Sequence, residues 1–290
     1  HLNKDFDILG RWEKDITGMN FSYDFWYQPR QNMMVSTEWA APKTFIPGFD
    51  LDDVRKGKYG HHIHFWDFKN KSIEKSIDLG EEGMIPLEVR FLHDPDSTHG
   101  FVAATLSSNI FHWFKDDKGE LQIEKVIDVD SIDNGILPVP MPGLITDILV
   151  SMDDNYLYFS NWFHGDLRQY DITNPSKPIL KGQIWLGGFL GNANMVNGKV
   201  VDGAPQMIQL SLDGKRLYVT TSLFSSWDNQ FYPNMKTSGG KMLIVDCDIK
   251  NGGMKIRENF VIDFANEPYG PSRAHETRYP GGDCSSDIWM

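Results

Sequence analysis

The chain has 290 residues, with 40 acidic against 28 basic side chains and a net charge of −12 at pH 7. That balance, with no run of Lys or Arg, argues against a nucleic-acid partner, whose phosphates require a basic face. No apolar stretch approaches the roughly 20 residues of a membrane helix, and the start of the chain has no signal-peptide pattern. Aromatics make up 13% of the residues and glycine and proline are frequent, at 26 and 15, which suits a β-rich fold with many tight turns. The two cysteines, Cys247 and Cys284, form no CxxC pair. Their sparseness points to a reducing, cytoplasmic setting, with the nucleus or a membrane surface as further settings. Sequons at Asn20 and Asn70 are the one hint of secretion.

In chain order the first apolar segment, "DFDILGRWE" (residues 5–13), reads as a strand with no partner before it. A unit of four strands, a to d, then occurs four times. The a strands are apolar runs carrying an acidic or amide residue: "YDFWYQPR" from Tyr23, "LEVRFLHDPD" from Leu87, "TDILVSMDD" from Thr146 and "QMIQLSLDG" from Gln206. Each passes through a polar turn into a b strand: "NMMVSTEW", "GFVAATLSS", "NYLYFSNW" and "KRLYVTTSL". The c strands are "HIHFWDF" from His62, "IFHWFK" from Ile110, "DLRQYDI" from Asp166 and "KMLIVDCD" from Lys241. The d strands are "SIEKSIDL", "LQIEKVIDV", "PILKGQIWL" and "IRENFVIDF", and helical periodicity is weak throughout. The turn residues Asp153 and Asp213 lie 60 residues apart, and the strands around them align without gaps.

Four antiparallel strands repeated in one order predict an all-β fold, a β-propeller of four-stranded blades. A β-sandwich would not need the same order four times. The first segment matches the d pattern, and the terminal "SSDIWM" matches the a pattern. The expectation is therefore a single propeller domain over residues 1–290, incomplete at its N-terminus, with four complete blades.

Strand alternation sends the d–a and b–c connections to one face of such blades. These are the long, unusual loops, where function tends to be carried, and they place Glu38, Trp39, His164, Trp227 and His275 together. His275, in the longest d–a loop beside Glu276, suits a metal ligand or a general base. A hydrogen-bonded loop histidine is the plainer reading. His164 and Asp166 read first as turn caps, and Glu38 as a loop carboxylate that could orient a ligand. Together Glu38, His164 and Glu276 outline a candidate loop-face pocket. "HHIH" at His61, His62 and His64 looks like a metal motif, but no carboxylate or thiol follows nearby, so a solvated strand face is the expectation. Cys284 reads as a packed or turn cysteine. Walker, GxGxxG, GxSxG and HExxH motifs are absent, and no catalytic residue is assigned.

From Trp12 to the last residue, "YDFWYQPR", "STEWAAP", "IPLEVRFLHDPD", "MPGLITDILVSMDD", "YFSNWFHGDLRQYDI", "QMIQLSLDGKRLYVTTSL" and "AHETRYPGGDCSSDIW" together resemble the selenium-binding protein / methanethiol oxidase family. The resemblance implies a seven-bladed propeller and a copper-dependent oxidase that converts a small thiol, O₂ and water to aldehyde, H₂S and H₂O₂. It implies His275 as one histidine ligand of the copper. The other ligands, and the cysteine stretch associated with selenium, belong to a region of the family before this chain. In "KYGHHIHFWD" the family pattern has a single histidine, at His62. A chain with one ligand is expected to be catalytically incomplete. The alternative implied is a non-enzymatic selenium carrier or a propeller scaffold for other proteins.

Overall fold

The computed structural model describes residues 1–191 and 195–277. Its strands build four four-stranded antiparallel sheets, each in sequence order. Blade 1 comprises β1 (Phe25–Gln28), β2 (Met33–Thr37), β3 (His62–Asp67) and β4 (Ser72–Asp78). Blade 2 comprises β5 (Pro86–Phe91), β6 (Gly100–Ala104), β7 (Asn109–Lys115) and β8 (Leu121–Asp128). Blade 3 comprises β9 (Ile145–Val150), β10 (Tyr156–Asn161), β11 (Asp166–Asp171) and β12 (Ile179–Trp185). A two-stranded hairpin, β13 (Met195–Val196) with β14 (Lys199–Val200), precedes blade 4, formed by β15 (Ile208–Leu210), β16 (Arg216–Thr220), β17 (Lys241–Cys247) and β18 (Met254–Asp263). Each a, b, c and d strand of the four repeats lies where the sequence pattern places it.

Burial shows how the blades are oriented. β5 and β9 are buried along their whole length, whereas β12 and β18 are exposed or half-buried throughout. The first strands β1, β5, β9 and β15 touch in succession, so each blade points its first strand at a common axis. Successive side chains of a strand face opposite sides, and both sides of the inner strands are covered. Leu157 and Phe159 of β10 pack with Phe101 and Ile110 of blade 2, while Tyr156 and Tyr158 pack with Leu217 and Val219 of blade 4. A third layer, with Val35, Phe65, Val89 and Trp113, joins blades 1 and 2. At about 1.5–3 kcal/mol for each large apolar side chain buried, these layers supply most of the cohesion between blades. Hydroxyls add direction: Thr37 Oγ1 donates to Leu87 O, Ser160 Oγ to Gln206 O and Thr220 Oγ1 to His275 O, each at 2.6 Å.

The a–b turns of blades 3 and 4 share one hydrogen-bond pattern. Ser151 Oγ donates to Asp153 Oδ1 and accepts from Tyr156 N, and Ser211 does the same with Asp213 and Arg216 N. At the N-terminus the structure departs from the pattern. Residues 5–13 form no strand; Leu2 bridges Ile8 instead, and Phe6 and Ile8 are 81% and 84% exposed. Alternating apolar residues mark a strand only where a neighbour offers backbone partners. Trp12 instead lays its ring against Trp66 and Phe68 of blade 1. The terminal "SSDIWM" lies outside the described residues.

Gly165, in the b–c turn of blade 3, has φ +87°, and a Cβ there would sit 2.2 Å from Gly187 O. Neither backbone can yield cheaply. Gly165→Ala is expected to cost about 3 kcal/mol, read as a lower denaturation midpoint with an unchanged m-value; an unaltered midpoint would contradict this packing.

Candidate functional site

The b–c connections of blades 1 and 4 are helical and meet above the loop face. α1 (Pro42–Phe45) starts on Pro42, whose missing N–H costs nothing at a first helical position. α2 (Leu51–Arg55) is capped by the Asp50 side chain, which accepts from Asp52 N at 2.8 Å. From blade 4 come α3 (Ser225–Phe231) and α4 (Met235–Ser238). Trp227 Nε1 donates to Phe45 O at 2.8 Å and Ser226 Oγ to Ile46 O at 2.6 Å. Gln230 exchanges two hydrogen bonds with the backbone of Phe49, both at 2.8 Å. Trp39 stacks on Phe45 with centroids 3.7 Å apart.

Beneath this arch is a cavity of about 260 Å³ with an apolar, largely aromatic wall that includes Tyr23, Trp39, Phe49, Phe224 and Trp227. Its polar lining is Thr105, Thr146, Gln206 and His275. Two bulky residues on its rim, Ile85 and Leu144, hold φ of +58°, an unfavourable region for such side chains and hence a local store of strain. His275 is fixed from several sides. Its carbonyl accepts from Thr220, and its Nδ1 lies 3.3 Å from Ser222 O, so Nδ1 carries the proton and Nε2 keeps the lone pair. Arg273, two residues earlier, binds Asn229 Oδ1 at 2.7 Å and approaches Asp228 at 3.6 Å. Asp228 in turn accepts from Ser222 Oγ and Leu223 N; burial raises its pKa against those bonds.

A second, polar cavity of about 190 Å³ lies next to the first, with Tyr23 common to both. The two are related by the repeat. Tyr23, Leu87, Thr146, Gln206 and His275 line the apolar cavity, and the residues that follow them, Asp24, Glu88, Asp147, Met207 and Glu276, line the polar one. His275–Glu276 therefore takes the place that a first strand's opening pair takes in the other blades, as the Thr220 hydrogen bond also indicates. In the polar cavity Arg90 meets Glu88 at 2.9 Å, Asp24 at 3.0 Å and Asp147 at 3.6 Å. Asp24 and Asp147 each also accept a backbone N–H from the following blade, Val89 at 3.0 Å and Ile208 at 2.8 Å. Among the described residues of this lining, one cation, Arg90, faces four carboxyl groups, Asp24, Glu88, Asp147 and Glu276. Burial raises Asp24 despite Arg90, raises Glu88 well above the carboxylate range with Asp24 adding to it, and pushes Asp147 up to about 7.

Of the residues singled out from the sequence, the structure brings Trp39, Trp227 and His275 into one cavity and Glu276 into the neighbouring one. Glu38 and His164 line neither. Glu38 is fully buried and accepts from His62 Nδ1, His64 Nε2 and the amides of Asn20 and Phe21. His164 is fully buried, with Nε2 on Met141 O at 3.1 Å, and burial lowers its pKa. The "HHIH" stretch is not the solvated face expected of it: His64 is fully buried, and Asp78 arrives from β4 to meet His61. Cys284 lies outside the described residues. Cys247 is a buried packing group whose thiol burial pushes up to about 12. The shared Arg90 went unread, although an acidic residue in each of the first three a strands was its signal.

Among the described residues lining the apolar cavity, His275 is the one imidazole, and no thiolate or carboxylate accompanies it. One donor falls short of the three or four that a copper centre takes, so these residues do not by themselves fit a copper ion.

Comparison with known proteins places this geometry. Residues 1–290 match the family described as "56kDa selenium binding protein (SBP56)". Methanethiol oxidase of Rattus norvegicus is 55% identical and that of Homo sapiens 52%, each over 98% of this chain. Selenium-binding protein 2 of Mus musculus is 54% identical over the same share. The chain spans 64% of the length of these relatives. Among solved structures, a hypothetical selenium-binding protein from Sulfolobus tokodaii superposes with a TM-score of 0.89 at 41% identity, over 99% of this chain and 64% of that one. A Lactobacillus plantarum protein at 16% identity, covering 87% of this chain and 57% of its own, shares the fold with a TM-score of 0.52. With a match along its whole length and more than half its residues identical to several relatives, the chain belongs to the 56 kDa selenium-binding protein family.

Proposed function

We propose that this chain serves the reaction after which its relatives are named, oxidation of methanethiol: CH₃SH + O₂ + H₂O → HCHO + H₂S + H₂O₂. The observation that carries the reading is the apolar cavity under the α1–α3 arch, with the His275 imidazole in its wall. A methyl group loses its water shell against Trp39, Phe224 and Trp227, which favours binding by about 25 cal/mol per Å² buried. The arch roofs the cavity and would shield a bound thiol from bulk water. The Ser222 carbonyl, steadied through the Asp228–Ser222 hydrogen bond, holds His275 with its Nε2 available. His275 is our candidate for one ligand of the family's copper; alone it would not hold the ion, and copper, where further donors completed the site, would supply electron transfer to O₂. Small thiol and O₂ are the proposed partners, and the sparse cysteines support the cytoplasm as the compartment. Among the described residues, no helix is long and apolar enough to cross a membrane.

The test is copper content and H₂S release from methanethiol, in the wild type beside His275→Ala and Trp227→Ala. Measured in protein of the relatives' full length, His275→Ala is expected to lower bound copper and to reduce turnover at least 100-fold. Trp227→Ala is expected to raise KM several-fold with copper retained. A copper-free, inactive wild type would instead favour the selenium carrier.

A further inference from the structure

Three side chains converge on blade 1 that the cavity and its chemistry leave unused. His61 and His62 stand at the start of β3, whose register against β4 sets His62 opposite Asp78. His61 Nδ1 lies 2.5 Å from Asp78 Oδ1, and the two imidazoles overlap with centroids 4.5 Å apart and planes at 30°. One nitrogen of each histidine and one oxygen of Asp78 all fall within 4.8 Å of one another.

Behind them stands Glu38. Its Oε2 is 3.1 Å from His62 Nδ1, and Oε1 is held by His64 and by the Asn20 and Phe21 amides. A carboxylate on Nδ1 leaves the imidazole lone pair on Nε2 and raises its basicity, the usual support behind a metal-bound histidine. Two carboxyl groups, Asp78 at the front and Glu38 behind, thus face the two imidazoles.

We propose that His61, His62 and Asp78 form a site for a divalent transition-metal ion, with Glu38 as the buried positioning residue behind His62. Imidazole and carboxylate together suit zinc and its neighbours in the first row rather than magnesium or calcium, which take oxygen alone. Donors around a tetrahedral zinc, at about 2.0–2.1 Å from it, stand about 3.4 Å apart. Metal binding would therefore require the side chains to rotate, drawing the wider separation in and lengthening the His61–Asp78 contact by about 1 Å. The side chains of His61, His62 and Asp78 are 34%, 24% and 58% exposed, which provides an entry path and a fourth position for water. A simple His61–Asp78 ion pair accounts for one of these contacts. It does not account for a second imidazole stacked on the first and braced from behind by a buried carboxyl group.

The experiment is calorimetric titration of metal-stripped protein with Zn²⁺, for wild type, His61→Ala, Asp78→Asn and His275→Ala, with thermal melts to verify folding. The site should appear as one Zn²⁺ per chain that survives His275→Ala and weakens at least tenfold in both blade 1 variants. Co²⁺ in place of Zn²⁺ should give visible absorption that those two variants lose. Unchanged Zn²⁺ affinity in His61→Ala and Asp78→Asn, or no Zn²⁺ bound by the wild type at micromolar concentrations, would overturn the proposal. Because His275→Ala separates this ion from the cavity, failure here leaves the oxidase reading standing, and the converse holds.

Discussion

Arg90→Met is expected to destabilise the protein by about 3–5 kcal/mol at pH 7.5, because it strips a guanidinium from two buried carboxyl groups, Glu88 and Asp147, and from half-buried Asp24. The packing lost is small, since Met follows much of the arginine stem. The cost is electrostatic and should therefore depend on pH. Asp24, Glu88 and Asp147 all have raised pKa values in the fold, so the native state binds protons that the unfolded chain has already released. Stability from this cluster thus falls as pH rises from about 4 to about 7, the interval between the ordinary aspartate value and that of Asp147. In the variant the same carboxylates stay protonated more readily at pH 5, and the deficit should shrink there. Adding Glu88→Gln to Arg90→Met should recover part of the loss at pH 7.5. Urea melts at the two pH values decide the matter; a deficit equal at both would mean that shape rather than charge is at stake.

Glu38→Gln should show the opposite pH dependence. Glu38 is depressed from 4.5 to about 2, so its contribution is complete above pH 4.5 and is lost as pH falls toward 2. Glutamine keeps the volume but turns one acceptor into a donor among four donors: His62, His64 and the amides of Asn20 and Phe21. The expected cost is about 2 kcal/mol at neutral pH, narrowing steadily below pH 4.5. Parallel stability curves for the two proteins across that acid range would refute this account of the carboxylate.

The blades were legible in the sequence because their inner strands are buried on both sides and bounded by turns with their own chemistry. Ser151–Asp153 and Ser211–Asp213 close identical turns, which is why the flanking strands align without a gap. The helices of the arch were not legible. α1 has four residues and α3 seven, at most two turns, too short for an amphipathic period to register. The N-terminal segment misled for the converse reason: "DFDILGRWE" has strand-like composition, but strand identity belongs to a pair of backbones. The chemistry of the histidines at β3 is not legible along the chain, because their carboxylates come from elsewhere in the blade 1 sheet: Asp78 from the end of β4 and Glu38 from the residue after β2. His275 was legible as a site residue from its loop, whereas the partner that sets its tautomer is a backbone carbonyl, which no side-chain pattern records.

The hydrogen bonds linking Phe45, Ile46 and Phe49 to Ser226, Trp227 and Gln230 join residues about 180 positions apart. Blades that packed in a row on their neighbours alone could loosen one at a time. This clasp turns the row into a circuit, so that loosening blade 1 also loosens blade 4. The roof of the cavity and part of the coupling between blades 1 and 4 then rest on the same contacts, so a motion that opens the roof to a substrate also loosens that coupling.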